Sequence, residues 1–315
     1  MQMMRSEPLV CGIVINWNRW EDTAACIQSM KSMNYPNLKI ILVDNASTQT
    51  CDPEIAQFFT EIEIIWNTEN IGFASGVNLG IKRALQLEAD FIFTLNNDSL
   101  VDPGCLMAMV NFAEEEPSAA ILGPKIYYMD PPDRIWFAGA NRDRLTLALL
   151  NFGRGKKDCA KFDFTRKVTY LCAGAMLIRK EVIESVGGFD PGYFMYYEDC
   201  EFCMHASSNG YNLYYVPEAR VWHSVAVSTG GEGSVLESYY RTCSVFRFIY
   251  RNSRGFHRLL LLTFRTIFII FQILLHLLLG QHEFVLIKWK GLIEGLACIR
   301  EGYALTSYRC NRSIG

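Results

Sequence analysis

Between residues 9 and 98 the chain alternates short apolar runs with segments of helical period, and three of the runs stop on amide or carboxylate side chains. LVCGIVIN, residues 9–16, closes on Asn16; residues 39–43 close on Asp44; residues 90–95 close on Asn96-Asn97-Asp98; a further run lies at 62–66. Between them Ala25, Ile27, Met30 and Met33 repeat with helical spacing, and helices are expected over 21–32, near 53–60 and over 73–87. Unbroken short apolar runs are strands buried on both faces. Alternating with helices, they make a βαβ series with a mostly parallel sheet, an α/β fold. In such sheets ligands bind beyond the carboxyl ends of the strands, where this chain puts Asn16, Asp44 and Asp98.

Beyond Pro103 the pattern loosens into shorter strands, expected at Ile121-Leu122, 126–128, 168–171 and 175–178, with a charged stretch at 151–167 read as an exposed or mobile excursion. A Gly-Gly-Phe-Asp turn (187–190) leads through an aromatic loop into a helix over 199–209, and runs at 213–216 and 219–222 end at Trp222-His223. From Ser234 the composition changes to helix formers, basic residues and leucine. The expected division is a catalytic domain over 1–233 and a basic helical region over 234–315.

Charge follows the same division. Residues 241–315 carry 11 Lys/Arg against 3 Asp/Glu, leaving 19 against 30 for residues 1–240 and a net charge of −3. An acidic body with a basic end argues against a nucleic-acid partner and suits attachment to an anionic membrane. Within 259–279 polar residues interrupt what would otherwise be a clean span. Arg258, Arg265, Gln272, His276 and Glu283 are spaced by 7, 7, 4 and 7 residues, which puts them on one helical stripe. Such a helix lies in a membrane interface, packs within a pair of membrane-embedded helices, covers the soluble body, or serves a homodimer of a soluble enzyme. The 11 cysteines show no framework spacing and read as reduced thiols of a cytoplasmic protein, and the first eight residues show no signal-peptide pattern. Cys200 and Cys203 lack the second pair of a zinc site.

The chain has no G-x-G-x-x-G after a strand, no P-loop and no G-x-S-x-G elbow. Its candidate chemistry lies in acids at strand and helix ends. Asp44 precedes Asn45-Ala46-Ser47 and is a turn cap or a ligand contact. Asn96-Asn97-Asp98 offers the oxygens a hard cation takes together with phosphates. Glu198-Asp199-x-Glu201 exceeds what a helix dipole needs, so one carboxylate is a candidate base. His223 is a metal ligand or a satisfied core histidine.

Taken in order, Ile13-Val14-Ile15-Asn16-Trp17-Asn18, Val43-Asp44-Asn45-Ala46-Ser47, the segment from Asn70 to Gly80, Leu95-Asn96-Asn97-Asp98, Gly187-Gly188-Phe189-Asp190, Tyr197-Glu198-Asp199-Cys200-Glu201-Phe202 and Trp222-His223 resemble a family 2 glycosyltransferase of the GT-A fold, in its bacterial rhamnosyltransferase-like branch. The resemblance covers roughly residues 9–250. It implies a nucleotide-diphospho-sugar transferase fold with a helical C-terminal appendage, and an inverting, metal-dependent, non-processive transferase. The Q-x-x-R-W motif of processive relatives is absent.

Carried over by position, the resemblance makes Asp199 the catalytic base and assigns Ile15, Asn16, Asp44, Asn70, Gly72, Asn78, Asn97 and Asp98 to the donor. Asp98 and His223 would hold Mg²⁺ or Mn²⁺, and Tyr197, Glu198 and Gly174 would face the acceptor. The implied donor is dTDP-L-rhamnose, with UDP-hexoses as the alternative, and the implied acceptor is a glycan or a polyprenyl-diphosphate-linked sugar at the inner membrane face. Two departures stand out: the metal motif has a single acid, and His205 replaces a common Arg. The thin motif also admits a non-catalytic nucleotide-sugar-binding scaffold.

Overall fold

The computed structural model describes residues 7–225 and 233–300. The first third realises the alternation: β1 (Val10–Asn16), α1 (Trp20–Lys31), β2 (Leu38–Asp44), the single turn α2 (Pro53–Ala56), β3 (Glu63–Trp66), α3 (Gly72–Gln86) and β4 (Phe91–Asn96). β1 pairs in parallel with both β2 and β4, and β2 with β3. α1 buries Trp20, Ile27 and Met30, and α3 buries Val77, Ile81 and Ala84, which is why the strands they cover are almost wholly apolar until their ends, the buried Thr94 of β4 donating to the Ala173 carbonyl at 2.7 Å. α3 packs close because Gly80 faces Ile13, where a Cβ would come within 2.5 Å. The chain leaves β3 at one edge and returns to β4 on the other side of β1. The carboxyl ends of β1 and β4 therefore flank a topological switch point.

The second part contains β5 (Ser99–Val101), α4 (Cys105–Glu115), β6 (Ala119–Tyr128), β7 (Ile135–Phe137), β8 (Ala140–Arg142), β9 (Leu149–Asn151), β10 (Arg166–Val168), β11 (Ala175–Arg179), α5 (Lys180–Val186), α6 (Glu198–Ser208) and β12 (Asn212–His223). The sheet runs β10-β12-β6-β11-β4-β1-β2-β3, with β5 on β12 and β7 on β6. β12 is one strand where two were expected: an irregularity in register between Val216 and Arg220 absorbs Pro217, Glu218 and Ala219. Two antiparallel pairings matter for the site. β11 against β4 brings Gly174 to the end of β4, where its carbonyl accepts from the Asn96 amide at 2.9 Å. β12 against β5 sets His223 opposite Ser99, one residue from Asp98.

The stretch 151–167 is not the loose excursion its composition suggested. Lys125, fully buried on β6, reaches Asp158 at 3.0 Å and Asp163 at 2.5 Å, Phe162 is buried, and Tyr215 donates to the Phe162 carbonyl.

Three helices follow: α7 (Val235–Asn252), α8 (Gly255–Leu278) and α9 (His282–Arg300). The change in composition at 234 is no break in packing, since Val245, Phe246, Phe248 and Ile249 of α7 belong to the main core. Asp190 of the Gly-Gly-Phe-Asp turn accepts twice from Arg247, at 3.0 and 2.9 Å, and Glu201 accepts from Arg251 and Asn252. The five-residue stripe is corrected: α8 ends at Leu278, so Glu283 lies on α9. The other four polar positions stay on α8, and Gln272 accepts from Lys288 of α9 at 3.2 Å. By length and composition α8 is apolar enough to cross a membrane, with mean hydropathy 2.0 despite its polar positions.

Candidate active site

A cavity of about 440 Å³ opens at the carboxyl ends of β1 and β4. Ile15, Asn70, Gly72, Asn97, Asp98, Gly174, Tyr197, Glu198, Asp199 and His223 all line it. Ten of the residues expected from sequence are thus gathered from six separate segments. The three others, Asn16, Asp44 and Asn78, are not among the lining residues. Asp44 is a turn residue here: its Oδ1 accepts from Asn16 at 2.9 Å and from the Ser47 hydroxyl at 2.5 Å, and its Oδ2 from the Ser47 amide at 3.0 Å. Asn78 grips the backbone of Phe189 through both ends of its amide, at 2.7 and 2.9 Å. That clamp fastens the Gly-Gly-Phe-Asp turn to α3.

On the β1 side, Asn45 is the hub. Its Nδ2 donates to Asn70 Oδ1 at 2.9 Å and to the Gly72 carbonyl at 3.1 Å, while its Oδ1 accepts from Asn67 and the Ile71 amide. Gly72 has φ +82°, and a Cβ there would meet the Phe194 carbonyl at 2.5 Å. Glycine is required for both the backbone angle and the space.

At the end of β4, Asp98 Oδ1 and His223 Nε2 stand 2.9 Å apart, with the Asn96 amide 3.3 Å from the same ring nitrogen. Both Asp98 and His223 are buried. No group of three His, Cys, Asp or Glu side chains placed to hold a metal ion by themselves is found among the described residues. One carboxylate and one imidazole fit a divalent cation that completes its coordination with phosphate oxygens and water, as Mg²⁺ habitually does.

Across the cavity, α6 begins with two consecutive left-handed residues, Tyr196 (φ 66°) and Tyr197 (φ 73°). This strained entry aims the first turn of α6 at the cavity. Asp199 Oδ2 accepts from the Tyr170 hydroxyl at 2.7 Å and Oδ1 from the Cys200 amide at 2.7 Å. Burial, reinforced by the Asp199 charge, holds the Tyr170 hydroxyl protonated. Glu198 lines the same wall with a buried Oε2 that has no hydrogen-bond partner among the described residues. Burial, and then the neighbouring Asp199, pushes its carboxyl up to about 8. Glu198 therefore holds its proton more tightly than an ordinary carboxyl does.

Sequence reasoning missed Trp136, Tyr170, Arg142, Arg154 and Arg241, which also line the cavity. Arg241 comes from α7 and pairs with Glu237 at 2.6 Å. Four of the seven non-glycine residues with positive φ among the described residues line this site: Leu147, Tyr196, Tyr197 and Val225. Backbone strain of this kind collects at functional sites and was the structural signal that composition could not carry.

The model of the glycosyl transferase family 2 matches residues 11–187, more than half of the chain. The chain belongs to glycosyl transferase family 2. It is a glycosyltransferase, and its α/β core with helical C-terminal region has the GT-A fold. It is 25% identical over 229 residues, 66% of this chain and 74% of the relative, to an N-acetylglucosaminyl-diphospho-decaprenol L-rhamnosyltransferase of Mycobacterium tuberculosis. It is 23% identical over 266 residues, 82% of this chain and 84% of the relative, to the dTDP-rhamnosyl transferase RfbF of Shigella flexneri. Among solved structures it resembles GalNAc-T7 with UDP, GalNAc and Mn²⁺ (TM-score 0.56, 15% identity, 69% of this chain) and S. aureus TarS 1–349 (TM-score 0.53, 15% identity, 78% of this chain). The alignments span 43% and 65% of those two chains, and the likeness is one of fold.

Proposed function

We propose that the protein transfers L-rhamnose from dTDP-L-rhamnose to a hydroxyl of a polyprenyl-diphosphate-linked glycan, with inversion at the anomeric carbon and with Mg²⁺ or Mn²⁺ bound. Asp199 carries this reading: a carboxylate with both oxygens held, by Tyr170 and the Cys200 amide, lines the same cavity as Asp98 and His223. The donor and acceptor classes are supported by the names of the relatives, an L-rhamnosyltransferase for a diphospho-decaprenol sugar and a dTDP-rhamnosyl transferase.

A divalent cation held by Asp98 and His223 would neutralise charge on the departing diphosphate. Ile15, Asn70 and Gly72 shape the donor end, and Asn97 fixes the β4 turn through its bond to Thr23 at 3.0 Å. At the other end Asp199 takes the proton from the acceptor hydroxyl as that oxygen bonds to C1. The C1–O bond to the diphosphate breaks on the opposite face, and its electron pair leaves with the nucleotide. One displacement inverts the configuration. Glu198, whose carboxyl burial pushes up to about 8, holds its proton more tightly than an ordinary carboxyl and so limits the negative charge beside the base.

In this reading residues 1–233 are the catalytic unit and 234–315 the membrane-associated region, with α7 also closing the cavity through Arg241. The exposed apolar surface of α8, which includes Phe264, Phe268 and Phe271, supports attachment to the membrane. The ten described cysteines, all free thiols, support its reducing cytoplasmic face.

Asp199→Asn tests the base. Rhamnosyl transfer is expected to fall by ~10²- to 10⁴-fold while thermal stabilisation by dTDP with Mn²⁺ persists. Full activity in this variant rules the assignment out, and a product of retained anomeric configuration rules out the single displacement.

A further inference from the structure

Arg142 sits at the end of β8 in the cavity wall, and nothing in the resting protein accounts for its charge. Among the described residues its guanidinium donates one hydrogen bond, from Nη1 to the Leu147 carbonyl at 2.5 Å, and no carboxylate forms an ion pair with it. Its Nε and Nη2 are buried without a partner. The group is held between two rings, Tyr170 at 5.8 Å and Phe248 of α7 at 4.5 Å. Leu147, whose carbonyl anchors it, is itself in the left-handed region at φ 58°, an uncommon conformation for leucine. A sheltered cation with two idle donors carries a desolvation penalty that an anion repays.

The surroundings of Arg142 select among anions. The Tyr170 ring it covers carries the hydroxyl that bonds Asp199 at 2.7 Å, so an anion on Arg142 lies one ring from the base. On the other side, the β8–β9 turn reaches α8, where the Leu145 carbonyl meets His257 Nε2 at 2.7 Å. The order is therefore base, cation, apolar helix. A lipid-linked sugar has the matching order of hydroxyl, phosphate and hydrocarbon chain. We propose that Arg142 is the acceptor-phosphate residue, its guanidinium binding the diphosphate that joins the acceptor sugar to its lipid. The inference rests on the proposed transfer to a lipid-linked acceptor and adds the residue that recognises it. Arg fits the role because its planar fork presents paired donors to phosphate.

The test compares wild type, Arg142→Gln and Arg142→Lys. Kinetics use two acceptors with the same sugar: N-acetylglucosaminyl diphosphate on a short prenyl chain, and octyl N-acetylglucosaminide, which has no phosphate. Wild type is expected to prefer the diphosphate, and Arg142→Gln to lose about 10- to 100-fold of that preference, the equivalent of one or two charge-assisted hydrogen bonds. Arg142→Lys should fall between. An unchanged preference overturns the inference. So does a rise in donor KM that matches the acceptor effect, which would assign the anion to the donor. Reduced sedimentation with anionic vesicles at unchanged preference overturns it as well, in favour of a phospholipid headgroup. A binding readout separates this claim from the proposed reaction: farnesyl diphosphate, added with dTDP and Mn²⁺ present, should raise the melting temperature of wild type and not of Arg142→Gln. That result without any sugar transfer would sink the reaction and keep the anion site. No stabilisation of wild type would sink the site.

Discussion

Two adjacent carboxyls at the start of α6 have different surroundings. Asp199 is met by the Tyr170 hydroxyl and the Cys200 amide, whereas Glu198 Oε2 is buried with no partner among the described residues. Burial first, then the Asp199 charge, raises the Glu198 carboxyl towards about 8. Its folded value therefore lies above its unfolded one, near 4.3. The folded state keeps this proton over a pH range in which the unfolded chain has released it, so this residue makes the protein less stable as pH rises through that range. Glu198→Gln cannot titrate. Its melting temperature should match wild type near pH 4.5 and exceed it by a margin that widens towards pH 8, measured by scanning calorimetry across that range; parallel curves would show that Glu198 ionises normally. At this scale the sequence was readable where a motif ends a strand or opens a helix, as with Asp98, His223 and Asp199. It could not show that the Asn78 amide grips the Phe189 backbone, because that partner is distant in sequence. Arg142 was invisible, since its meaning comes from rings contributed by residues 170 and 248.

Periodicity made the parallel half of the sheet legible because strands buried on both faces must be apolar until they end, and helices between them must show one apolar face. The mixed half was harder to read. β6 and β12 each run through a proline, at Pro124 and Pro217, which reads as a break in sequence but is carried by an irregular register in the fold. The charged stretch 151–167 was misread for a related reason: its acids are solvent-like by composition, yet Asp158 and Asp163 bond a lysine that is wholly buried on β6. Tyr127 adds a hydrogen bond to Asp158 at 2.6 Å. Lys125 thus pins the segment that carries Arg154 beside the cavity. Lys125→Met removes the buried partner and should destabilise the fold by about 3 kcal/mol, read from urea unfolding. A loss below experimental error would mean that the two aspartates hold the segment without it, and Asp158→Asn should then be equally silent.

At the scale of the whole molecule, the exposed apolar surface of α8 and α9 has to be covered. It includes Phe264, Ile267, Phe268 and Phe271 on α8 and Leu286, Trp289 and Ile293 on α9, while Arg258 and Lys290 lie on the same helix pair and Arg254 caps the start of α8. Basic residues beside a broad apolar face suit an anionic bilayer, to which each contributes about 1 kcal/mol near the surface. Deleting the helices would be a poor test. Gly291 and Gly295 of α9 lie against Thr242 and Phe246 of α7, where a Cβ would meet them at 3.0 and 2.5 Å, and Tyr239 hydrogen-bonds Glu294. Removing α9 would uncover α7, and with it the helix that carries Arg241 to the cavity. Substitution on the face avoids this. Phe264→Lys combined with Phe271→Lys puts two charges where the bilayer would be, at positions outside the core. Wild type should sediment with vesicles containing anionic lipid, and high salt should weaken this binding only in part, because salt screens the basic residues and leaves apolar insertion intact. The double variant should stay in the supernatant and still transfer sugar to a water-soluble acceptor. Sedimentation of the double variant with vesicles would refute the bilayer as the cover. A wild-type dimer that ignores vesicles would refute it too, and would show that a second copy of the chain occupies the face.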